Sequence, residues 1–426
     1  MPRFRWFVAT LAAALLVGCS KEERREPAQT AGPNPAATPA PVKPKVEGAG
    51  PFAAGDVAHG KKLVEEFECS RCHDGTGALS APPEKHCVRC HQDILSGKFK
   101  APAAALAKWR PNVARLRDVP SLVSVGKRLR PEWIARFILE PHDLRPNLVQ
   151  NMPRLKLTKE QARDIASYLT DGQRTPAGGP SVDAGDAATG RELFESKGCG
   201  TCHLFGGVGA LATTPKLNEG SDDQKRAVTL APDLRFARDR VRRDRIVEWI
   251  LDPKAVKPDT LMTPSPLSAR EAKSIAAFIL TADLEELKPP AVPERLAVLK
   301  RKVSFDEVNE KVFMRTCRHC HGDADALLGD GGPGNTGGFG FKPRGVNFSH
   351  LRGVMSGRIN DAGERESLFA PLQDGTPRLV AALLSRHSEQ AGRPNAEVRG
   401  MPLSLPALPA EDIQLVESWI AQGRRP

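Results

Sequence analysis

Eight of the nine cysteines of this 426-residue chain fall into four Cys-x-x-Cys pairs, and a histidine directly follows each pair. The four clusters are Cys69-Ser-Arg-Cys72-His73, Cys87-Val-Arg-Cys90-His91, Cys199-Gly-Thr-Cys202-His203 and Cys317-Arg-His-Cys320-His321. Two thiols about one helical turn apart, with an imidazole beside the second, can bind a metal ion, form a redox-active disulfide or carry a covalent cofactor.

The histidine after every pair distinguishes between these three kinds of site. Zinc ribbons use two Cys-x-x-Cys pairs and thioredoxin-like sites use one, but neither needs a histidine after each pair, and a disulfide framework needs none at all. Only 10 of 426 residues are histidine, so a histidine directly after all four pairs is not a chance result. The pattern is the c-type haem attachment signature, in which the thiols bind one haem edge and the histidine binds the iron. The sequence therefore predicts four covalently bound haem c groups.

The N-terminus has the features of an export signal. Arg3 and Arg5 precede an apolar run, Phe7–Val17, that is too short to span a bilayer. The run leads into Leu-Val-Gly-Cys19, which resembles the bacterial lipoprotein cleavage box, although an ordinary signal peptide with an unrelated cysteine is the alternative. The resemblance implies that Cys19 becomes an acylated N-terminus.

Three expectations follow from this N-terminal pattern. Residues 1–19 form a lipoprotein signal peptide, and residues 20–50, rich in Pro and Ala, form a disordered tether. The protein is periplasmic or in the cell envelope, anchored by its lipid to a bacterial membrane.

The remaining chain contains internal repeats. Asp56–Leu63 precedes the first cluster at the spacing with which Asp186–Leu193 precedes the third, and Ile134–Pro146 matches Ile246–Pro258. A third, more diverged unit surrounds the last cluster. The chain is therefore built of three related units.

Helices are predicted at the end of each unit. Thr158–Leu169 and Ser268–Leu280 each open with a capping box, and a last helix runs from about Glu411 to Gln422. In the third unit a helix around Phe305–Met314 leads into the haem cluster.

The order of helix, haem cluster, loop, Met-bearing loop and C-terminal helix in each unit resembles class I cytochrome c. The resemblance implies an all-α fold of tandem class I cytochrome c-like helical domains, with long loops and little strand. It places a dihaem domain at 51–175 and monohaem domains at 182–286 and 303–426.

This resemblance also implies a crossing of the first and last helices of each domain, where a glycine meets an aromatic residue. Gly60 with Tyr168 and Gly190 with Phe278 match that pattern. Trp419 is the candidate aromatic residue of the third domain.

Second iron ligands follow from the same resemblance. Met152, Met262 and Met401 match the family's distal ligand, although core filling is the common role of methionine. The carbonyl oxygens of Pro120 and Pro232 match the acceptor of the proximal imidazole N–H, a contact that fixes the ring. The third unit lacks a clean counterpart of this proline.

Spacing leaves two assignments for Met152. The helix before His73 matches the second unit, which gives Met152 to the haem of His73. His91, however, stands as far before Pro120 as the proximal histidine of the second unit stands before its own proline, which would give Met152 to His91. We favour His73 and treat Asp74–His91 as an insertion that carries an extra haem.

The haem of His91 then needs another distal ligand. His142 and His59 stand where the second unit has Lys254 and Thr189, so both occur only in the unit with the extra haem. Either can also be a solvated surface histidine. We expect a bis-histidine haem, with His142 as the first candidate and His59 as the second.

Histidine and methionine together fill both axial positions of an iron, so such a haem exchanges electrons rather than binding oxygen or peroxide, and methionine raises its potential. We expect a tetrahaem protein that transfers electrons between membrane or extracytoplasmic redox partners. The alternative is a haem peroxidase or reductase that uses the haem at His91 as an open catalytic site. A redox sensor or assembly subunit is the third class, but no signalling domain is visible.

The net charge of +11 bears on partners. Basic clusters at Lys127–Arg130 and Arg235–Arg245 are typical of solvated helix faces, and they also suit docking of an acidic redox partner or anionic lipid headgroups. No nucleic-acid binding is expected of an exported haem protein. The glycine-rich run Gly329–Gly340 follows no predicted strand and precedes no predicted helix, so it is predicted to be a surface loop rather than a nucleotide site.

Cys19→Ala tests the predicted anchor. The variant lacks the thiol that would carry the lipid, so we expect release of haem-loaded protein from membranes or a block in signal processing, with Ser20→Ala unchanged. Fractionation and immunoblotting measure this. Unchanged processing and membrane retention of Cys19→Ala would remove the lipoprotein assignment.

Overall fold

The computed structural model describes residues 52–149, 151–173, 182–211, 213–286, 288–323, 332–395 and 397–426. These described residues are mostly helical, with 47% helix and 3% strand, which confirms a helical fold with little strand. The predicted signal peptide, its Cys19 and the predicted tether at 20–50 lie outside the described residues. None of the helices in the described ranges is long and apolar enough to cross a membrane.

The α-helices divide among the three predicted domains. The first has α1 Val57–Glu66, α2 Cys87–Ser96, α3 Ala103–Val113, α4 Val125–Arg128, α5 Pro131–Leu139 and α6 Lys159–Thr170. The second has α7 Ala187–Ser196, α8 Asp222–Leu230, α9 Ala237–Arg240, α10 Ile246–Leu251, α11 Pro253–Val256 and α12 Ala269–Thr281. The third has α13 Phe305–Val308, which continues as a π-helix over Asn309–Cys317, then α14 Pro333–Thr336, α15 Leu351–Met355, α16 Arg378–Gln390 and α17 Ala410–Ala421.

Shorter elements connect these helices. A two-stranded antiparallel ribbon consists of β1 Arg358–Ile359 and β2 Arg365–Glu366. Turns of 3-10 helix lie at Cys69–Arg71, Pro83–Lys85, Ala114–Leu116, Val182–Ala184, Cys199–Thr201 and Leu234–Phe236.

Both predicted capping boxes are present and open α6 and α12. The Thr158 hydroxyl accepts a hydrogen bond from the Gln161 amide at 3.1 Å, and the Gln161 side chain accepts one from the Thr158 amide at 3.0 Å. Ser268 and Glu271 form the same reciprocal pair. Because these side chains satisfy amides that lack a partner in the first turn, they fix where each helix begins.

The predicted glycine–aromatic crossings are also present. A Cβ added to Gly190 on α7 would lie 1.9 Å from the Ser274 carbonyl oxygen and 2.9 Å from Cβ of Phe278 on α12. A Cβ added to Gly60 on α1 would lie 2.9 Å from Cβ of Tyr168 on α6. Only glycine permits such an approach of two helix backbones.

Each predicted domain range contains a hydrophobic core. The first core lies mainly between α1 and α6. In the second core the rings of Phe194 and Phe278 pack edge to face, with centroids 5.8 Å apart. In the third, the fully buried Trp419 packs against Phe305 and Phe313 rather than against a glycine.

The first and second repeats contact each other through equivalent segments. Leu129 and Val241, which stand at matching positions of the repeats, pair as an isolated antiparallel bridge. Two backbone hydrogen bonds of 2.9 Å flank this bridge, from Arg130 N to Arg240 O and from Arg242 N to Arg128 O. The reciprocal pairing gives this contact the two-fold character of a homodimer interface.

The prediction of a surface loop for the glycine-rich run was wrong for the described end of that run. The Phe339 amide donates to Oε2 of Glu68 at 3.2 Å, and the Arg71 guanidinium lies 5.3 Å from the centroid of the buried Phe339 ring. At Gly340, where φ is +74°, an added Cβ would lie 2.4 Å from the Phe67 ring. These residues join the third domain to the first.

Gly190→Ala tests the tight crossing in the second domain. Alanine is normally better than glycine inside a helix by roughly 1 kcal/mol, but here the added methyl meets the Ser274 backbone, so we expect a loss of about 2–3 kcal/mol in the free energy of unfolding. Gly209→Ala is the matched control, because its added Cβ would meet its nearest neighbour at 3.6 Å. Equal stability of the two variants by urea unfolding would contradict the crossing.

Candidate metal centres

The four Cys-x-x-Cys-His clusters adopt two local geometries. In the first, third and fourth, the histidine amide donates to the carbonyl oxygen of the first cysteine and closes one turn, with distances of 2.9 Å for His73 and 3.0 Å for His203 and His321. The second cluster instead begins α2, so Cys87, Cys90 and His91 lie on one helix face. In both geometries one turn of chain presents two thiols and one imidazole together.

The eight described cysteines are free thiols, all partly buried. Burial raises the pKa of Cys69 to about 11 and that of Cys317 to about 12. The thiols of Cys72 and Cys87 interact directly, which raises the pKa of Cys72 and lowers that of Cys87. The clusters of His73 and His91 are therefore close enough for one thiol of each to affect the other.

Backbone carbonyls orient three of the four imidazoles. Nδ1 of His73 donates to the Pro120 carbonyl at 2.8 Å, and Nδ1 of His203 donates to the Pro232 carbonyl at 2.9 Å, so both predicted proline contacts are present. Nδ1 of His91 donates to the carbonyl of Leu116 at 3.1 Å. Each bond fixes the proton on Nδ1 and leaves the lone pair on Nε2, the atom that would bind a metal.

The fourth imidazole is held differently. The ring of His321 lies against the backbone of Gly334, where an added Cβ would come 2.1 Å from its Cε1. This glycine follows Pro333, so the third domain places a Gly-Pro-Gly segment beside the ring where the other two domains place a proline carbonyl. The sequence pattern alone did not indicate this segment as a counterpart of the proline.

All four imidazoles are suited to bind a metal near neutral pH. Burial lowers the pKa of each, to about 4 for His91 and His321, so each ring is uncharged and retains a lone pair. Nε2 of His91 is buried and has no hydrogen-bond partner, which is costly for a polar atom unless a ligand binds it. The donors present therefore fit an iron held by a porphyrin.

A metal held by protein atoms alone needs a different arrangement. In the described part of the chain, no three His, Cys, Asp or Glu side chains come together as candidate ligands of a metal ion. An iron in haem takes four ligands from the porphyrin, so it needs only one or two from the protein.

Met152 packs on the hydrophobic core of the first domain. Met152 and Cys69 both pack against the first hydrophobic core, and the proline carbonyl that precedes Met152 binds His73 rather than His91. His91 uses Leu116 instead. These contacts agree with the first of the two spacings, in which Asp74–His91 is an insertion.

Helix α16, which the sequence reasoning missed, positions Met401. The Met401 amide donates to the Ala382 carbonyl at 2.8 Å, and Nε of the fully buried Arg386 donates to the Leu405 carbonyl at 3.0 Å. Met401 and Cys317 both pack against the third core. An apolar run after Pro377, with Leu379, Val380 and Leu383, was the signal for this helix.

Met262 is only partly buried. It lies in the segment before α12, and its amide donates to the Thr260 hydroxyl at 3.2 Å. It is not among the residues that pack on the second core, to which Cys199 belongs.

The histidine ring that contacts His91 is neither of the two predicted. Nδ1 of His59 donates to Oδ2 of Asp164 at 2.7 Å, and the His142 ring packs between aromatic rings at 5.5 Å on either side. The ring of His319 lies against that of His91 instead, with centroids 5.7 Å apart. The signal was an extra histidine inside the fourth cluster, Cys317-Arg-His-Cys320-His.

Comparison with protein-family models, with curated proteins and with solved structures found no match for this chain. The interpretation of the four centres therefore depends on the spacing of the motifs and on the contacts of the chain itself.

Arg386→Ala tests the role of α16. Arg386 forms a buried ion pair with Glu389 at 3.4 Å, and removing one partner leaves an unpaired buried charge, at a cost of about 3–5 kcal/mol. We expect lower stability in urea and faster amide exchange at Met401. The exposed Arg393→Ala, just beyond α16, is the control. Unchanged amide exchange at Met401 in Arg386→Ala would show that α16 does not position the loop that carries Met401.

Proposed function

We propose that this chain is a tetrahaem c-type cytochrome that transfers electrons between membrane or extracytoplasmic redox partners. The observation that carries the proposal is the repeated cluster of two thiols and one neutral imidazole, which is buried at His91 and partly buried at the other three clusters. In three of the four clusters a carbonyl oxygen binds Nδ1 and keeps Nε2 available. Haem, when bound, supplies reversible one-electron exchange at its iron.

The fold supports class I cytochrome c-like domains at 51–175, 182–286 and 303–426. Each range has a core of its own, and in the first two a glycine on the leading helix meets an aromatic residue on the last. Met152 and Met401 lie beside the cores that Cys69 and Cys317 also contact. We assign Met152, Met262 and Met401 as the distal ligands at His73, His203 and His321.

The contacts between clusters favour electron transfer over isolated catalysis. The thiols of Cys72 and Cys87 interact, and the ring of His91 contacts that of His319, which stands between Cys317 and Cys320. Three of the four centres are therefore contiguous along the molecule. Contiguous one-electron centres are the arrangement that a conduit requires.

A cluster of arginines also suits haem. Arg240 is partly buried close to the buried Arg128 and to Arg145, and loss of solvent together with these two cations lowers its pKa to about 10. A partly buried cation among cations is costly without an anion nearby. The two propionates that each haem carries supply such anions, and they would bind at the contact between the first and second domains.

Partners and location follow the same proposal. The positive net charge favours an acidic redox partner, and acylation at Cys19 would hold the protein on the membrane of a bacterial cell envelope. The chain's role there is to carry electrons and not to bind nucleic acid.

Haem stoichiometry tests the proposal. Protein made with haem-maturation machinery should carry four covalent haems per chain by mass and by pyridine haemochrome assay. Replacing both cysteines of any one cluster with serine should remove one haem and leave three. Bound zinc with no haem would overturn the proposal.

Met152→Ala tests the ligand assignment. We expect a lower potential for one haem, because methionine ligation raises the potential of haem iron. The change should persist when Cys87 and Cys90 are replaced and disappear when Cys69 and Cys72 are replaced. The reverse pattern, read by redox titration, would assign Met152 to His91.

A further inference from the structure

Only one of the two ring nitrogens of His91 is available to bind a ligand. It lies on α2 with 4% of its surface exposed, and its Nδ1 is committed to the Leu116 carbonyl at 3.1 Å. Its Nε2 is buried without a hydrogen-bond partner. A buried acceptor in this state is costly unless something binds it.

A second imidazole lies next to this ring. His319 comes from the turn after the π-helix of the third domain, and its ring centroid is 5.7 Å from that of His91, with planes inclined at 45°. Two imidazoles on opposite sides of one iron, at about 2 Å per metal–nitrogen bond, have centroids about 6 Å apart. An inclination of 45° is compatible with this, because two imidazoles that bind one iron need not be coplanar.

The contact between the first and third domains holds this pair of rings. Glu68 accepts a hydrogen bond from the Phe339 amide, and Arg71, inside the first cluster, stacks on the Phe339 ring. Arg71 also donates to the Lys85 carbonyl at 3.1 Å, two residues before Cys87. The segment that carries the second cluster is therefore tied to the same interface that brings His319 close.

Resting on the function proposed above, we propose that His319 is the second protein ligand of the haem iron at His91. The extra haem of the first domain then takes one axial ligand from its own cluster and the other from within the haem cluster of the third domain. His319 takes precedence over His142 and His59, which the repeat comparison favoured. His59 already bonds Asp164, and His142 packs between two aromatic rings.

Two properties follow for this centre. With both axial positions filled by histidine, the iron has no open site for oxygen, peroxide or nitrite. It also lacks the methionine that raises potential, so it should have a lower potential than the three centres assigned a methionine.

The test compares His319→Ala with Arg318→Ala, the other variable position of the same cluster. The His319 side chain is exposed, so its removal should leave the fold intact. Electron paramagnetic resonance of the oxidised protein should show four low-spin haems in the parent and Arg318→Ala, and one high-spin haem in His319→Ala. Imidazole added to His319→Ala should restore the low-spin signal, and the reduced variant alone should bind carbon monoxide at one haem.

A second variant and a mass measurement separate the possible failures. In His319→Met the new methionine should replace the lost histidine ligand, so all four haems should stay low-spin. The potential of the haem at His91 should rise. If four haems attach but His319→Ala keeps all of them low-spin, or if His142→Ala produces the high-spin haem instead, this assignment is wrong while the proposed function stands. If the parent carries no haem by mass, the proposed function itself fails.

Discussion

A hydrogen bond from Nδ1 to a backbone carbonyl commits an imidazole to one tautomer, and three of the four candidate centres depend on that bond. The acceptor for His73 comes from Pro120, a distant point of the chain, so the ring is oriented only if the loop between them is fixed. The Leu122 amide fixes it by donating to the Asp74 carbonyl at 2.8 Å. The second domain repeats this tie between Leu234 and Leu204 at 2.9 Å. Ring orientation is thus a property of the folded domain and not of the five-residue cluster.

The contacts between domains extend this dependence across the chain. Phe339 stacks under Arg71, a residue of the first cluster, and His319 packs on His91. The surroundings of the second cluster therefore involve two domains. A domain cut out of this chain would lose part of that environment even if it kept its own core.

The sequence could predict whatever repeats or obeys a local rule. The four clusters, the capping boxes at Thr158 and Ser268 and the crossing at Gly190 were all predictable, because each depends on spacing within one domain. His319 could not be found in this way, since its role depends on how the third domain packs on the first. The end of the glycine-rich run was misjudged for the same reason. Its composition indicates a loop, while its burial depends on Phe67 and Arg71, far away in sequence.

The reciprocal pairing of Leu129 with Val241 is what a symmetric dimer would build, but here both partners belong to one polypeptide. In a true dimer this contact would weaken on dilution, and every substitution would appear on both sides. Covalent linkage removes both constraints, since the halves stay together at any concentration and each can change alone. The first repeat carries an extra cluster that the second lacks, so the pair is already asymmetric in its chemistry while its backbone contact remains symmetric.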